Sequence, residues 1–202
     1  MRLIVGLTGP TGAGKSNLCD TAKQLGFKVI DCDKSARKAT VKGSEGLKAL
    51  CLVFGNDILN KNSTLNRKTL AKKAFSTKEN TELLNKTIFP FIMDIIETEA
   101  NGDMVLFDAP TLFESKLNEN CFKTIAVLAD KELRLKRIIE RDNISAEDAL
   151  IRLNAGKSDL FFKDNADFII YNNGNEAEYI YQFIDTINNI KNNFYSKENT
   201  NE

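Results

Sequence analysis

The sequence contains no histidine and no tryptophan, and it carries no net charge, since 28 Lys plus Arg balance 28 Asp plus Glu over 202 residues. The missing histidine excludes an imidazole general base, a His-dependent triad and a His metal site, so acid–base chemistry falls to Asp, Glu, Lys, Tyr or Cys. The missing net charge argues against a generic nucleic-acid or membrane-surface binder. The four cysteines, Cys19, Cys32, Cys51 and Cys121, form no Cys-x-x-Cys pair. Their scatter suits reduced thiols acting as small buried hydrophobes rather than a disulfide framework. No run approaches the ~20 apolar residues of a membrane span. The apolar start Leu3-Ile4-Val5 meets Gly6 and Gly9 too soon for a signal peptide. A cytoplasmic location is the expectation.

What is present is an alternation of short apolar runs with helical patterns. Leu3 to Leu7, Phe27 to Ile30, Met104 to Phe107, Thr124 to Leu128 and Phe168 to Tyr171 read as five strands. Between them, Ser16 to Leu25 and Ser44 to Phe54 place apolar residues on one helical face and stop at Gly26 and Gly55. Asn66 is placed to cap a helix carrying Leu70 and Ala74, and a longer pattern from Thr81 to Ala100 is predicted to be interrupted at Pro90. Asp130 precedes a periodic helix through Arg141, Ser145 with Asp148 resembles a capping box, and Glu176 to Phe194 reads as a last amphipathic helix before a frayed polar tail from Ser196. This order predicts an α/β fold of the P-loop NTPase type: a five-stranded parallel sheet with helices on both faces. It forms a single domain, with a helical insertion at about 44–100 and a short helical lid at about 137–160.

Gly9-Pro10-Thr11-Gly12-Ala13-Gly14-Lys15-Ser16 matches the phosphate-loop pattern Gly-x-x-x-x-Gly-Lys-Ser/Thr, directly after the first strand and at the start of a helix. Glycines permit the tight backbone and close phosphate approach, and successive N–H groups with the helix N-terminus supply positive potential. Lys15 is expected to bridge the β and γ phosphates of a nucleoside triphosphate. Ser16 is expected to offer its hydroxyl to Mg²⁺, and Asp108, ending the strand Met104 to Phe107, to hold a water of that ion.

The region Thr124 to Asp130 lacks the Asn-Lys-x-Asp stretch of a guanine-specific GTPase. A small-molecule kinase needs an acceptor site, a base near the attacking hydroxyl and arginines that close over the phosphoryl group. Arg137 and Arg141 share a helical face at i, i+4. Asp31-Cys32-Asp33 follows the second strand; one carboxylate is expected to cap the next helix and the other to face substrate.

Together these residues resemble the dephospho-coenzyme A kinase family over almost the whole chain. The resemblance rests on Gly6 to Ser16, Val29-Ile30-Asp31-Cys32-Asp33 with Ala36-Arg37, Asn66-Arg67 with Leu70 and Phe75, and Asp108-Ala109-Pro110-Thr111-Leu112-Phe113-Glu114. Arg137, Arg141-Asp142, Ala166-Asp167 and Asn172-Asn173-Gly174 follow in family order. It implies transfer of the ATP γ-phosphoryl group to the ribose 3′-hydroxyl of dephospho-coenzyme A, the last step of coenzyme A synthesis. Asp33 would be the base, with Lys15 and Arg141 also catalytic. Gly9, Gly12, Ala13, Gly14, Lys15, Ser16 and Asn17, with Arg137 and Arg141, would hold the ATP phosphates, while Asn173 and Gly174 would lie against adenine. Asp33, Arg67, Phe89, Pro90, Asp108 and Glu114 would serve the acceptor side. Three positions depart from the family pattern: Phe89-Pro90 stands where His-Pro is usual, Gly156 where Gln is common, and Thr111 where Leu is. Pro10 in the phosphate loop is also unusual. The alternatives are a related kinase for a nucleoside or nucleotide and a catalytically weak nucleotide-binding regulator. ATP and dephospho-coenzyme A are the expected partners, with Mg²⁺ as cofactor, no nucleic acid or membrane, and a monomer with higher assembly left open.

Overall fold

All five apolar runs become strands in the computed structural model, which describes residues 2–198. They are β1 (Leu3–Thr8), β2 (Lys28–Asp31), β3 (Met104–Asp108), β4 (Lys123–Leu128) and β5 (Phe168–Tyr171). Their order across one sheet is β2-β3-β1-β4-β5; β1 pairs in parallel with β3 and with β4, and β4 in parallel with β5. In the β1–β3 register Leu7 lies opposite Asp108, so the end of β1 and the carboxylate of β3 reach the same edge.

The helices are α1 (Lys15–Gln24), α2 (Cys32–Ala39), α3 (Glu45–Phe54), α4 (Arg67–Ala74), α5 (Lys78–Glu99), α6 (Lys131–Asp142), α7 (Ala146–Asn154), α8 (Asp159–Asn165) and α9 (Glu176–Glu198). The chain divides into two compact units, Ile30–Asn101 and the remainder. In the larger unit, Leu3, Val5 and Leu7 of β1 pack into one cluster with Leu18 and Ala22 of α1 and Phe183 and Ile187 of α9. On β4 the alternate residues Ala126 and Leu128 pack with Phe162 of α8. Strands covered on both faces need continuous apolar runs, which is why these segments lack a polar alternation. Close packing also explains Gly6, where a Cβ would come 2.7 Å from a methyl of Leu112.

The smaller unit is helical beyond β2, and its core joins Leu50, Phe54, Ile58, Leu70 and Ala74, with Leu84 and Ile88 of α5 packed against them. It begins at Ile30 and so takes in α2, upstream of the boundary near Ser44 expected from the sequence. Glu99 of α5 accepts from Ser35 at 3.2 Å and from Lys38, tying α2 to the far end of α5.

The capping residues read from sequence act as such: Ser44 Oγ accepts from Leu47 N, Asn66 Oδ1 from Thr69 N, and Ser145 Oγ from Asp148 N at 3.1–3.2 Å. Pro90 differs from expectation, because α5 runs unbroken through it. Proline removes one i to i−4 hydrogen bond. Here it is exposed, as is Lys86 one turn earlier, so the freed carbonyl lies on the solvent side while Leu84, Ile88 and Ile96 anchor the helix. The tail differs too, since α9 continues through Ser196 to Glu198, and the rest of the expected frayed segment lies outside the described residues. Among the described residues no helix is long and apolar enough to cross a membrane.

Candidate active site

The phosphate loop joins β1 to α1 through backbone that only glycine accepts easily. Gly14, the N-cap of α1, has φ 97°, and a Cβ there would lie 2.2 Å from Asn172 Nδ2. At Gly9, φ is 144° and a Cβ would sit 2.3 Å from the Val127 carbonyl oxygen. The loop encloses a cavity of about 360 Å³ lined by Gly9 to Asn17, Asp108, Pro110, Arg137 and Arg141. Seven positions expected to hold ATP phosphates from the loop, with both arginines and Asp108, therefore share one cavity. Lys15 Nζ donates to the Gly9 carbonyl at 3.2 Å, and the Asn17 side chain donates to Glu176.

Asp108 closes β3 at this cavity, half-buried. Beside it lies the buried thiol of Cys19 on α1. Burial pushes that thiol up to about 12, and the Asp108 carboxylate, through its charge and a hydrogen bond, pushes the same way. Cys19 is therefore a protonated partner of Asp108 at neutral pH. Ser16 and Asp108 supply hard oxygen donors, and no group of three or more His, Cys, Asp or Glu side chains suited to a metal occurs among the described residues. That donor set fits Mg²⁺ held mainly by phosphate oxygens and water.

The two arginines, one turn apart on α6, are held differently. Arg137 donates to the Gly12 carbonyl at 3.4 Å, the Asn172 carbonyl at 3.2 Å and Asn172 Oδ1 at 3.1 Å. Arg141 donates through Nε (2.8 Å) and Nη2 (3.0 Å) to the two oxygens of Asp142, which also pairs with Arg152 of α7. The Arg141 hydrogen bond holds the Asp142 carboxyl below its ordinary range, and the same bond raises the arginine. Asn173 and Asp130 grip each other reciprocally, Asp130 N donating to Asn173 Oδ1 at 2.9 Å and Asn173 Nδ2 to Asp130 Oδ1 at 3.0 Å. Gly174 has φ 154° and open space where a Cβ would be. Glu114 is half-buried in the turn after β3.

In the helical unit the structure separates the two aspartates that follow β2. Asp31 is the N-cap of α2, its Oδ1 accepting from Lys34 N at 2.9 Å. Burial alone would raise its carboxyl, but the Lys34 amide and ammonium outweigh that and hold it below the usual value. Asp33 lies exposed in the first turn of α2, engaged by no hydrogen bond or ion pair among the described residues. Arg67, exposed at the start of α4, donates to Thr40 Oγ1 at 3.0 Å. Phe89 is half-buried and Pro90 exposed on α5.

Four further residues at or near the phosphate loop escape a reading of the sequence. Asn172 is 5% exposed and donates through Nδ2 to the Ala13 carbonyl at 2.9 Å. Tyr179 donates to the Gly14 carbonyl at 3.4 Å, Cys19 lies beside Asp108, and Arg134, also 5% exposed, pairs with Asp159 at 2.8 Å. Asn172 belongs to the Asn172-Asn173-Gly174 run, but nothing in that run signals its contact with the loop; the other three stand in no local motif, and an apolar helix face predicts a hydrophobe at position 134, not an arginine.

A parallel α/β sheet whose first strand opens into a glycine-bound phosphate loop, with arginines of a later helix lining the same cavity, defines a P-loop nucleotide-binding protein of the small-molecule kinase class. The dephospho-CoA kinase family profile matches residues 3–178. A dephospho-CoA kinase of Listeria monocytogenes serotype 4b is 39% identical over 179 residues, covering 86% of this chain and 90% of the relative. Among solved structures, a dephospho-CoA kinase from Campylobacter jejuni is 32% identical with a TM-score of 0.58, over 96% of this chain and all of that one. TT1252 from Thermus thermophilus is 25% identical with a TM-score of 0.74, over 92% of this chain and 96% of that one. The chain belongs to the dephospho-CoA kinase family.

Proposed function

We propose that the chain transfers the γ-phosphoryl group of ATP to the ribose 3′-hydroxyl of dephospho-coenzyme A. The observation that carries this reading is the division of labour between two carboxylates of the Asp-Cys-Asp run: Asp31 is consumed in capping α2, while Asp33 stands exposed and unengaged in a family whose name specifies the acceptor. A carboxylate in that condition is suited to accept the hydroxyl proton as the nucleophile attacks.

Phosphoryl transfer asks a protein for positioning and charge stabilisation more than for covalent chemistry. In this reading the N–H groups of the loop and Lys15 take the β and γ phosphates, and Arg141 acts on the transferring group. Ser16 and Asp108 would hold Mg²⁺, which when bound neutralises charge developing on the phosphate oxygens. Asn173 and Gly174 would border the adenine. Arg67, Phe89, Pro90 and Glu114 would serve the acceptor. Phe89 offers an apolar face where the family usually offers histidine, so acceptor contact there is by packing.

A coupled assay of ADP release with dephospho-coenzyme A against a panel of nucleosides and nucleoside monophosphates tests the reading. Turnover stimulated by dephospho-coenzyme A alone is expected. Greater stimulation by another acceptor would make this a nucleoside or nucleotide kinase, and ATP binding without stimulation by any acceptor would make it a nucleotide-binding regulator.

A further inference from the structure

The phosphate loop exposes three successive carbonyls, and each meets a donor from a distant part of the chain. Gly12 O accepts from Arg137 of α6 at 3.4 Å, Ala13 O from Asn172 after β5 at 2.9 Å, and Gly14 O from Tyr179 of α9 at 3.4 Å. The peptide group is planar and trans, so anchoring the carbonyl of one residue turns the N–H of the next to the opposite side. Holding Ala13 O and Gly14 O therefore aims the N–H groups of Gly14 and Lys15 away from Asn172 and Tyr179. The Ala13 N–H is already engaged, closing a turn onto Pro10 O at 3.2 Å.

Asn172 is the centre of this arrangement. Its backbone N–H donates to Leu128 O at 2.8 Å, which fixes it to the end of β4. Its Oδ1 and its own carbonyl both accept from Arg137, a group that only donates, while its Nδ2 faces the Ala13 carbonyl, a group that only accepts. The amide orientation is thereby dictated by its neighbours. An aspartate would set an oxygen against the Ala13 carbonyl, and an aliphatic side chain would take one acceptor from the guanidinium and leave that carbonyl without its Asn172 donor in a buried place. The approach is possible because residue 14 has no Cβ.

We infer that Asn172 is a positioning residue for nucleotide binding: through Ala13 and Arg137 it fixes the phosphate loop in an anion-receiving shape before any nucleotide arrives. Arg137 on this account acts through the loop, adding its charge beside the phosphates while its hydrogen bonds go to protein. The inference rests on the reading of the loop as the ATP phosphate site.

The test is calorimetric ADP affinity, together with separate KM values for ATP and dephospho-coenzyme A, in wild type, Asn172→Ala and Arg137→Ala, singly and combined. Loss of a buried hydrogen bond that orders the loop should weaken ADP about tenfold in Asn172→Ala and raise the KM for ATP similarly, with the KM for dephospho-coenzyme A unchanged. The combined variant should lose less than the product of the single losses, since both act on one network. Unchanged ADP affinity in folded Asn172→Ala would overturn the inference, as would full multiplicativity. Asn172→Ser, which can still donate through a shorter side chain, should recover part of the affinity and provides a folded comparison if the alanine variant fails to fold. Wild type that does not bind ADP would refute the nucleotide site itself, an outcome distinct from failure of the Asn172 argument.

Discussion

The two units hold their chemistry in opposite ways. Around the phosphate loop the backbone and Asp108 are pinned: glycines abut Asn172 and the Val127 carbonyl, loop carbonyls are taken by Arg137, Asn172 and Tyr179, and Cys19 backs Asp108. In the helical unit Asp33 stands exposed, and Arg67 is tied by a single bond to a threonine. In the proposed reading the difference follows from the ligands. A polyphosphate is recognised by backbone N–H groups whose directions must be set in advance, and an acceptor hydroxyl is recognised by a carboxylate that has to remain available.

The contrast is tested most severely at Lys15. Lys15→Ala should lower turnover about 10³-fold by removing a preorganised charge from the phosphates; near-normal activity in the ADP-release assay would remove the loop from the mechanism. Asp33→Asn should lower kcat about 10²-fold while calorimetric ADP affinity stays at the wild-type value. A variant that lost only acceptor affinity would demote Asp33 to a binding role and erase the distinction from Asp31. Gly14→Ala should destabilise by about 1–3 kcal/mol in thermal or urea unfolding, because it combines an unfavourable φ with a collision against Asn172, and it should weaken ADP alongside.

The smallest effect belongs to Asp167, which accepts from Thr124 N and Oγ1 at 2.8 Å and from Lys123 at 2.6 Å, joining the starts of β4 and β5. Burial alone would raise its carboxyl, yet these bonds hold it below the usual range. A lowered folded value means stabilisation that is complete above the ordinary aspartate value of about 3.9 and lost as pH falls through the lowered one. Asp167→Asn should therefore cost about 1 kcal/mol at neutral pH after solvent screening, and the Tm gap to wild type should close in acid.

What could be read from the sequence was what neighbouring residues decide. Strand runs, the caps Ser44, Asn66 and Ser145, and the phosphate loop each depend on spacings of a few residues, and the structure has them in place. Asn172 and Tyr179 meet the loop across 159 and 165 residues of chain, so their roles depend on the order of strands in the sheet rather than on any local pattern. Arg134 was illegible for a related reason: it occupies a buried helical position because Asp159, remote in sequence, supplies its counter-charge. Pro90 shows the reverse error, where a strong local rule was overridden by packing on the opposite face of α5. Which of Asp31 and Asp33 caps α2 is decided by one hydrogen bond, from Lys34 N to Asp31, and the sequence run Asp-Cys-Asp leaves the start of that helix open by two residues.

The pairing of Arg141 with its own neighbour has a consequence for the timing of entropy loss. Asp142 engages Nε and Nη2, one edge of the guanidinium, and Arg141 still lines the cavity. An arginine gives up on the order of 2 kcal/mol of rotamer freedom when it is fixed in one conformation. With Asp142 already holding the side chain, part of that ordering belongs to the folding of the protein, and in the proposed reading a phosphate arriving at the remaining edge would meet a cation whose direction has been chosen beforehand.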